Sequence, residues 1–202
     1  HPQDGAELPR LLHDIGRFRQ YEIYATFSDA QSENHGGMGA GLVRKMNLLS
    51  NLEKLERHQI IHAVALHNVF CLPDNLAPET IELTKLVRDA DKVDIYRVMV
   101  DLYKDLAPGS TSYITYHLPD DGKISRIFAQ NILDQRLIDA RHVKTINDMK
   151  LLQISWLFDL NFDVSLGLVR QRGYVPAILE TMPDTSEMEP IRQFALKYLE
   201  TR

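Results

Sequence analysis

Apolar residues recur at three- and four-residue steps along most of the chain, the spacing of amphipathic helices. In residues 37–56 (GMGAGLVRKMNLLSNLEKLE), Met38, Leu42, Val43, Met46, Leu49, Leu52 and Leu55 follow this rhythm and predict one amphipathic helix or a helix pair. The pattern continues through 56–70 and stops at Pro73. Pro78 and Glu79 read as a fresh helix start leading into 81–100, and Pro108 to Ser112 punctuates the chain. Residues 111–118 (TSYITYHL) form the one β-like run, followed by a turn signal at Pro119-Asp120-Asp121-Gly122. Helical stretches are then expected at about 125–137, 145–158, 165–180 and 187–199. There is no internal repeat, no low-complexity tract and no strand–helix alternation. The pattern predicts an all-α bundle with short connections.

The length of 202 residues fits a single domain able to bury a full core. A net charge of -5 and a pI near 5.9 give no electrostatic footprint for a nucleic-acid polymer. A phosphate-bearing ligand would need a local source of positive charge, and a bound metal is the obvious one. Cys71 stands alone, which excludes an intrachain disulfide and a cysteine-based zinc cluster and suits a reducing cytoplasm. The apolar runs fall short of a membrane span, and the polar first ten residues do not resemble a signal peptide. The chain opens abruptly, so an upstream segment is expected.

Two strings carry candidate chemistry. In Leu11-Leu12-His13-Asp14-Ile15-Gly16-Arg17, His13 and Asp14 would point about 100° apart on a continuous helix. Gly16 reads as a residue just past a helix end, where the backbone can turn both side chains to one point. An imidazole with a carboxylate suits divalent ions such as Mn, Fe, Zn or Mg. Taken alone, the pair reads as a capped helix end with an exposed Asp and a half-buried His. In Val87-Arg88-Asp89-Ala90-Asp91-Lys92-Val93-Asp94, Asp89 and Asp91 lie about 200° apart on a helix, so at most one faces the buried side. Alone, this string reads as a solvated face with Arg88 and Lys92 as ion-pair partners.

Together, LLHDIGR followed by RDADKVD resembles the HD-domain superfamily, from Leu11 to about Met99. The resemblance implies an HD-type helical bundle, with an HD core over about 10–105 and accessory helices over 106–202 of one domain. It makes His13 and Asp14 the His-Asp pair and Asp91 the distal aspartate. Asp89 becomes an acid behind the ligands, and Asp94 a packing or ion-pair residue. In binuclear members, histidines in the two intervening intervals hold a second metal, and the matching positions are His35 and His67. His58 and His62, four residues apart, lack a carboxylate motif and read as surface or packing residues. The family's first histidine lies on a preceding helix. His1 is the sole candidate here, and a segment with Pro2, Gly5 and Pro9 is not expected to form that helix.

The string HNVFCLP departs from the cyclic-dinucleotide-cleaving branch, and DKVDIYR from the alarmone hydrolases. The nearest likeness is to small bacterial HD-domain phosphohydrolases. The implied cofactor is one or two divalent ions (Mn, Fe, Zn, Ni, Co or Mg), and the implied reaction is attack of metal-activated hydroxide on a phosphate ester. Asp14 would orient the nucleophile, and Arg17 and Lys92 would neutralise developing charge. The expected partner is a small phosphorylated substrate such as a nucleotide, with no membrane and no nucleic-acid polymer; a homodimer stays open. Two alternatives remain: a non-catalytic metal- or nucleotide-binding sensor that kept the HD shell, and a di-iron oxygenase of the same superfamily. The aromatic stretch around Trp156, Phe158, Leu160 and Phe162 reads as core. Val143-Lys144-Thr145 and Asp148 are candidates for a pocket mouth, though no spacing requires it.

Overall fold

The computed structural model describes residues 4–105 and 115–202, with side chains from Glu7 onward at the N-terminal end. Every regular element among them is helical, and no strand occurs among the described residues. No helix among them is long and apolar enough to cross a membrane. The chain divides into two compact units, 1–91 and 92–202.

The first unit contains α1 (Asp4–Leu12), α2 (Ile15–Tyr24), a 3-10 turn at Asp29–Gln31, α3 (His35–Lys45), α4 (Lys54–Leu66) and the first half of α5 (Pro78–Asp105). Its core joins Ala40, Val43, Leu49, Ile60 and Val64, with Leu8, Leu12, Ile15 and Leu83 packed against them. The 37–56 periodicity therefore belongs to two helices, with a turn between them that contains Asn47 at a left-handed φ of 52°. The side chain of Asn34 caps α3 by accepting from the Gly37 N–H at 2.8 Å.

Two expectations about the start of the chain are corrected. The segment with Gly5 and Pro9 does form a helix, α1. Proline inside a helix forfeits one backbone hydrogen bond, here to Gly5, at a cost of about 3 kcal/mol. Leu8 and Leu12 offset this by packing on the core, and Pro9 itself is buried. His1 lies outside the described residues. Gly16 is not a helix stop, because it sits in the first turn of α2 and has no positive φ. Its role is close approach: a Cβ there would lie 2.0 Å from the His35 carbonyl oxygen and 2.6 Å from the Gly39 nitrogen. The absence of a side chain lets α2 and α3 pack backbone to backbone.

The second unit comprises α5 from Lys92 onward, α6 (Arg126–Leu133), a 3-10 turn at Ala140–His142, α7 (Ile146–Ser155) running into a 3-10 turn at Trp156–Phe158, α8 (Asp163–Gln171), α9 (Tyr174–Glu180) and α10 (Glu189–Thr201). Tyr96, Ile132, Leu151, Ile154, Val169, Val175, Ile178 and Met188 form its core. Trp156, Phe158 and Leu160 pack against that core, as the aromatic stretch implied, whereas Phe162 stands outside it at the start of α8. The 165–180 stretch is two helices, broken at Gly173 with φ 64°. Of the β-like run, 111–114 lie outside the described residues and Thr115–His117 is a turn, with Tyr116 and His117 at positive φ.

Thr145 and Asp148 serve as a helix cap rather than a pocket mouth. The Thr145 hydroxyl accepts from the Asp148 N–H at 3.0 Å, and the Asp148 carboxylate accepts from the N–H groups of Thr145 and Lys144 at 3.2 and 3.1 Å. Because α7 lies in the core, Thr145→Ala should lower the stability of this unit by about 1 kcal/mol. A shift in the urea midpoint read by Trp156 fluorescence tests this, and an unchanged midpoint would show that the cap contributes nothing.

Candidate metal centre

Three helices and one turn of the first unit bring five side chains together. His13 and Asp14 form the turn between α1 and α2, His35 opens α3, His67 follows the last residue of α4, and Asp91 lies in α5. His13 Nε2 is 3.4 Å from Asp91 Oδ1 and 3.6 Å from Asp14 Oδ2. His35 Nε2 is 3.3 Å from Asp14 Oδ1 and 3.0 Å from His67 Nε2. Ligand atoms of His13, Asp14 and Asp91 lie within 4.8 Å of one another, and so do those of Asp14, His35 and His67. Asp14 belongs to both groups and faces one with each oxygen.

Each imidazole is held by its other nitrogen. His13 Nδ1–H donates to the Arg10 carbonyl at 2.6 Å, and His67 Nδ1–H to the Val64 carbonyl at 2.8 Å. His35 Nδ1–H donates to the Asp29 carboxylate, whose oxygens lie at 2.9 and 2.8 Å. Carbonyl and carboxylate oxygens only accept, so all three Nδ1 atoms carry the proton in the neutral ring. That places the lone pair of each ring on Nε2, on the side of the two carboxylates.

The donor set fits a divalent ion. Two nitrogens bonded at about 2.0–2.1 Å to one ion stand about 2.9–3.4 Å apart for angles between right and tetrahedral, and the His35–His67 separation falls in that range. Without a cation, two Nε2 lone pairs at this distance repel unless a proton lies between them. Burial pushes His67 down to about 4, so it stays neutral near pH 7 and keeps its lone pair. Burial also opposes charging of His35 and His13. Asp14 and Asp29 nevertheless raise His35, and Asp91 with Asp14 raises His13. Burial works against the charged form of Asp14 too, but the His35 hydrogen bond and the neighbouring His13 and Arg17 hold it well below the usual carboxylate range. The carboxylates thus draw positive charge to the cluster, which protons or a metal can supply.

Arg17 stands at the edge of this group, its Nε 3.5 Å from Asp14 Oδ1. It also donates to Gln20 Oε1 at 3.1 Å and to the Phe27 carbonyl. Lys92, placed beside the distal aspartate by its position in the sequence, falls in the second unit, where its ammonium is 2.8 Å from Asp159. Arg88 and Asp89 are buried, at 5% and 1% exposure, so this stretch of α5 is not the solvated face that the charge pattern allows. Arg88 donates to the carbonyls of His67, at 3.1 Å, and Val69, and so holds the chain at the end of α4. Asp94 pairs with Arg97 on an exposed face. His58 and His62 form a ring pair on α4, where His62 Nδ1–H donates to the His58 carbonyl at 2.8 Å, apart from the cluster.

Sequence reasoning passed over Asp29, Gln20 and Asn68. Asp29 sits in the 3-10 turn, six residues before His35, where no helical period links the two. Gln20 is fully buried on α2 and donates to Asp29 Oδ1 at 2.7 Å, while Asn68 donates to Asp29 Oδ2 at 2.8 Å. The adjacency of Asn68 to His67 was the one available signal. Comparison of the chain with protein-family models, with curated proteins and with solved structures returns no match.

Proposed function

We propose that the chain is a divalent-metal-dependent phosphohydrolase of the HD type, acting in the cytoplasm on a small phosphate ester such as a nucleotide. One observation carries this reading. Three imidazoles, each fixed through Nδ1 by an oxygen acceptor, present Nε2 towards two carboxylates. Structural packing needs no such common aim, whereas metal ligation does, with the second nitrogen held by an oxygen acceptor. His35, His67 and Asp14 would hold one ion, and His13, Asp91 and Asp14 a second. A bound ion supplies hydroxide at neutral pH and screens charge on phosphoryl oxygens. The remaining work falls to the chain: Asp14 holds the two ligand groups in register, and Arg17 offers its guanidinium at the rim to a phosphoryl oxygen.

The test joins metal analysis of the purified protein with a phosphate-release screen over mono-, di- and cyclic nucleotides. Mn, Co or Ni should support turnover better than Mg, because Mg prefers oxygen donors and this shell is rich in imidazole. His35→Ala and His67→Ala should each lower the metal content while the helical circular dichroism persists. A fully metallated protein that releases no phosphate from any of these would instead be a non-catalytic metal- or nucleotide-binding module.

A further inference from the structure

The three imidazoles are not held alike. His13 and His67 lean on backbone carbonyls, which are neutral dipoles, whereas His35 leans on a carboxylate. That carboxylate gathers groups from three places. Gln20 reaches it from α2 at 2.7 Å, and Arg17, also from α2, at 3.5 Å. The backbone N–H of His35 reaches it at 3.3 Å and the ring at 2.8 Å, both from α3. Asn68 reaches it at 2.8 Å from the residue after His67. Gln20 also donates to Ser32 and to the Glu33 carbonyl, at 2.8 and 3.0 Å, which ties the turn bearing Asp29 to the start of α3.

We propose that Asp29 is a positioning residue of the metal centre, one that sets the aim of His35 and strengthens it as a ligand through its negative charge. This rests on the metal-binding reading above. A carboxylate accepting from Nδ1–H fixes the tautomer with its lone pair on Nε2 and raises the electron density of the ring. The same carboxylate binds Asn68, the neighbour of His67, so it also fixes the spacing of the two rings that stand 3.0 Å apart. Asp29 also meets Arg17 at 3.5 Å, but the ligand it contacts directly is His35. Its effect passes through His35.

Asp29→Asn and Asp29→Ala separate charge from shape. The amide oxygen of the asparagine still accepts from His35 Nδ1–H. Its new N–H can be met by Asn68 Oδ1, which is buried without a partner. Affinities for Mn(II), Co(II) and Zn(II) are measured by competition with a chromophoric chelator, and the His35 ring is followed by nitrogen-15 NMR in metal-free protein. Asp29→Ala should weaken metal binding about 10–100-fold and release His35 into a mixture of tautomers. Asp29→Asn should keep the tautomer and weaken binding several-fold. Should the alanine variant fail to fold, the asparagine variant decides alone. Unchanged affinity in the folded variants, with only a lower melting temperature, would overturn the assignment and leave Asp29 a structural residue. If the native protein binds none of the three ions, the metal reading fails and this assignment with it. If native protein and variants bind equally well, only the assignment fails.

Discussion

Asp14→Ala is expected to reduce phosphate release on the order of 10³-fold, a loss of about 4 kcal/mol of transition-state stabilisation, while the protein stays folded. Asp14 is the one side chain common to both candidate ligand groups, with Oδ1 at 3.3 Å from His35 and Oδ2 at 3.6 Å from His13. Its removal opens a coordination position on each side and removes the partner that Arg17 approaches. The fold should tolerate the change because the side chain is 49% exposed and lies in a turn. Stability should fall by no more than about 1–2 kcal/mol, from the lost interactions with His13 and His35. The measurement pairs kcat for phosphate release at saturating Mn with metal stoichiometry and a thermal melt. Turnover within tenfold of native would show that Asp14 is not shared between the two groups.

The second large effect belongs to a residue with no side chain at all. Gly16→Ala should destabilise the first unit by about 3–5 kcal/mol. The new Cβ would meet the His35 carbonyl oxygen at 2.0 Å and the Gly39 nitrogen at 2.6 Å, both backbone atoms that cannot rotate away. Relief requires α2 and α3 to separate, which pulls Ile15 from the core of this unit and moves His35 relative to the turn carrying His13 and Asp14. Gly41→Ala, also in α3 but with nothing within 4 Å of its added Cβ, is the control. Alanine has the higher helix propensity, so that variant should be as stable as native or gain up to about 1 kcal/mol. Denaturant midpoints of the two variants measure the contrast. Equal stability of Gly16→Ala and Gly41→Ala would show that α2 and α3 do not touch at Gly16.

The sequence by itself determined the helical class and much of the candidate site. Three- and four-residue apolar periods reach the eye without any tertiary knowledge, because each helix buries one stripe and the stripe is written locally. The ligand candidates were legible for a different reason: His13, Asp14 and Asp91 stand in short strings whose wording resembles a family, and His35 and His67 fall in the intervals between them. What is local in space but distant along the chain was not legible. Asp29 reaches His35 across a turn with no periodic register, and Gln20 reads as one more polar residue until α2 packs down and buries it. Gly16 looked like a helix stop because a glycine's local meaning is conformational, yet its meaning here is a clearance between two backbones. Arg88 and Lys92 sit four residues apart with equal charge; the end of α4 draws the first towards His67, and Asp159 holds the second. Only packing distinguishes such pairs, since burial, clearance and the choice of hydrogen-bond partner are properties of surfaces that meet after the helices have formed.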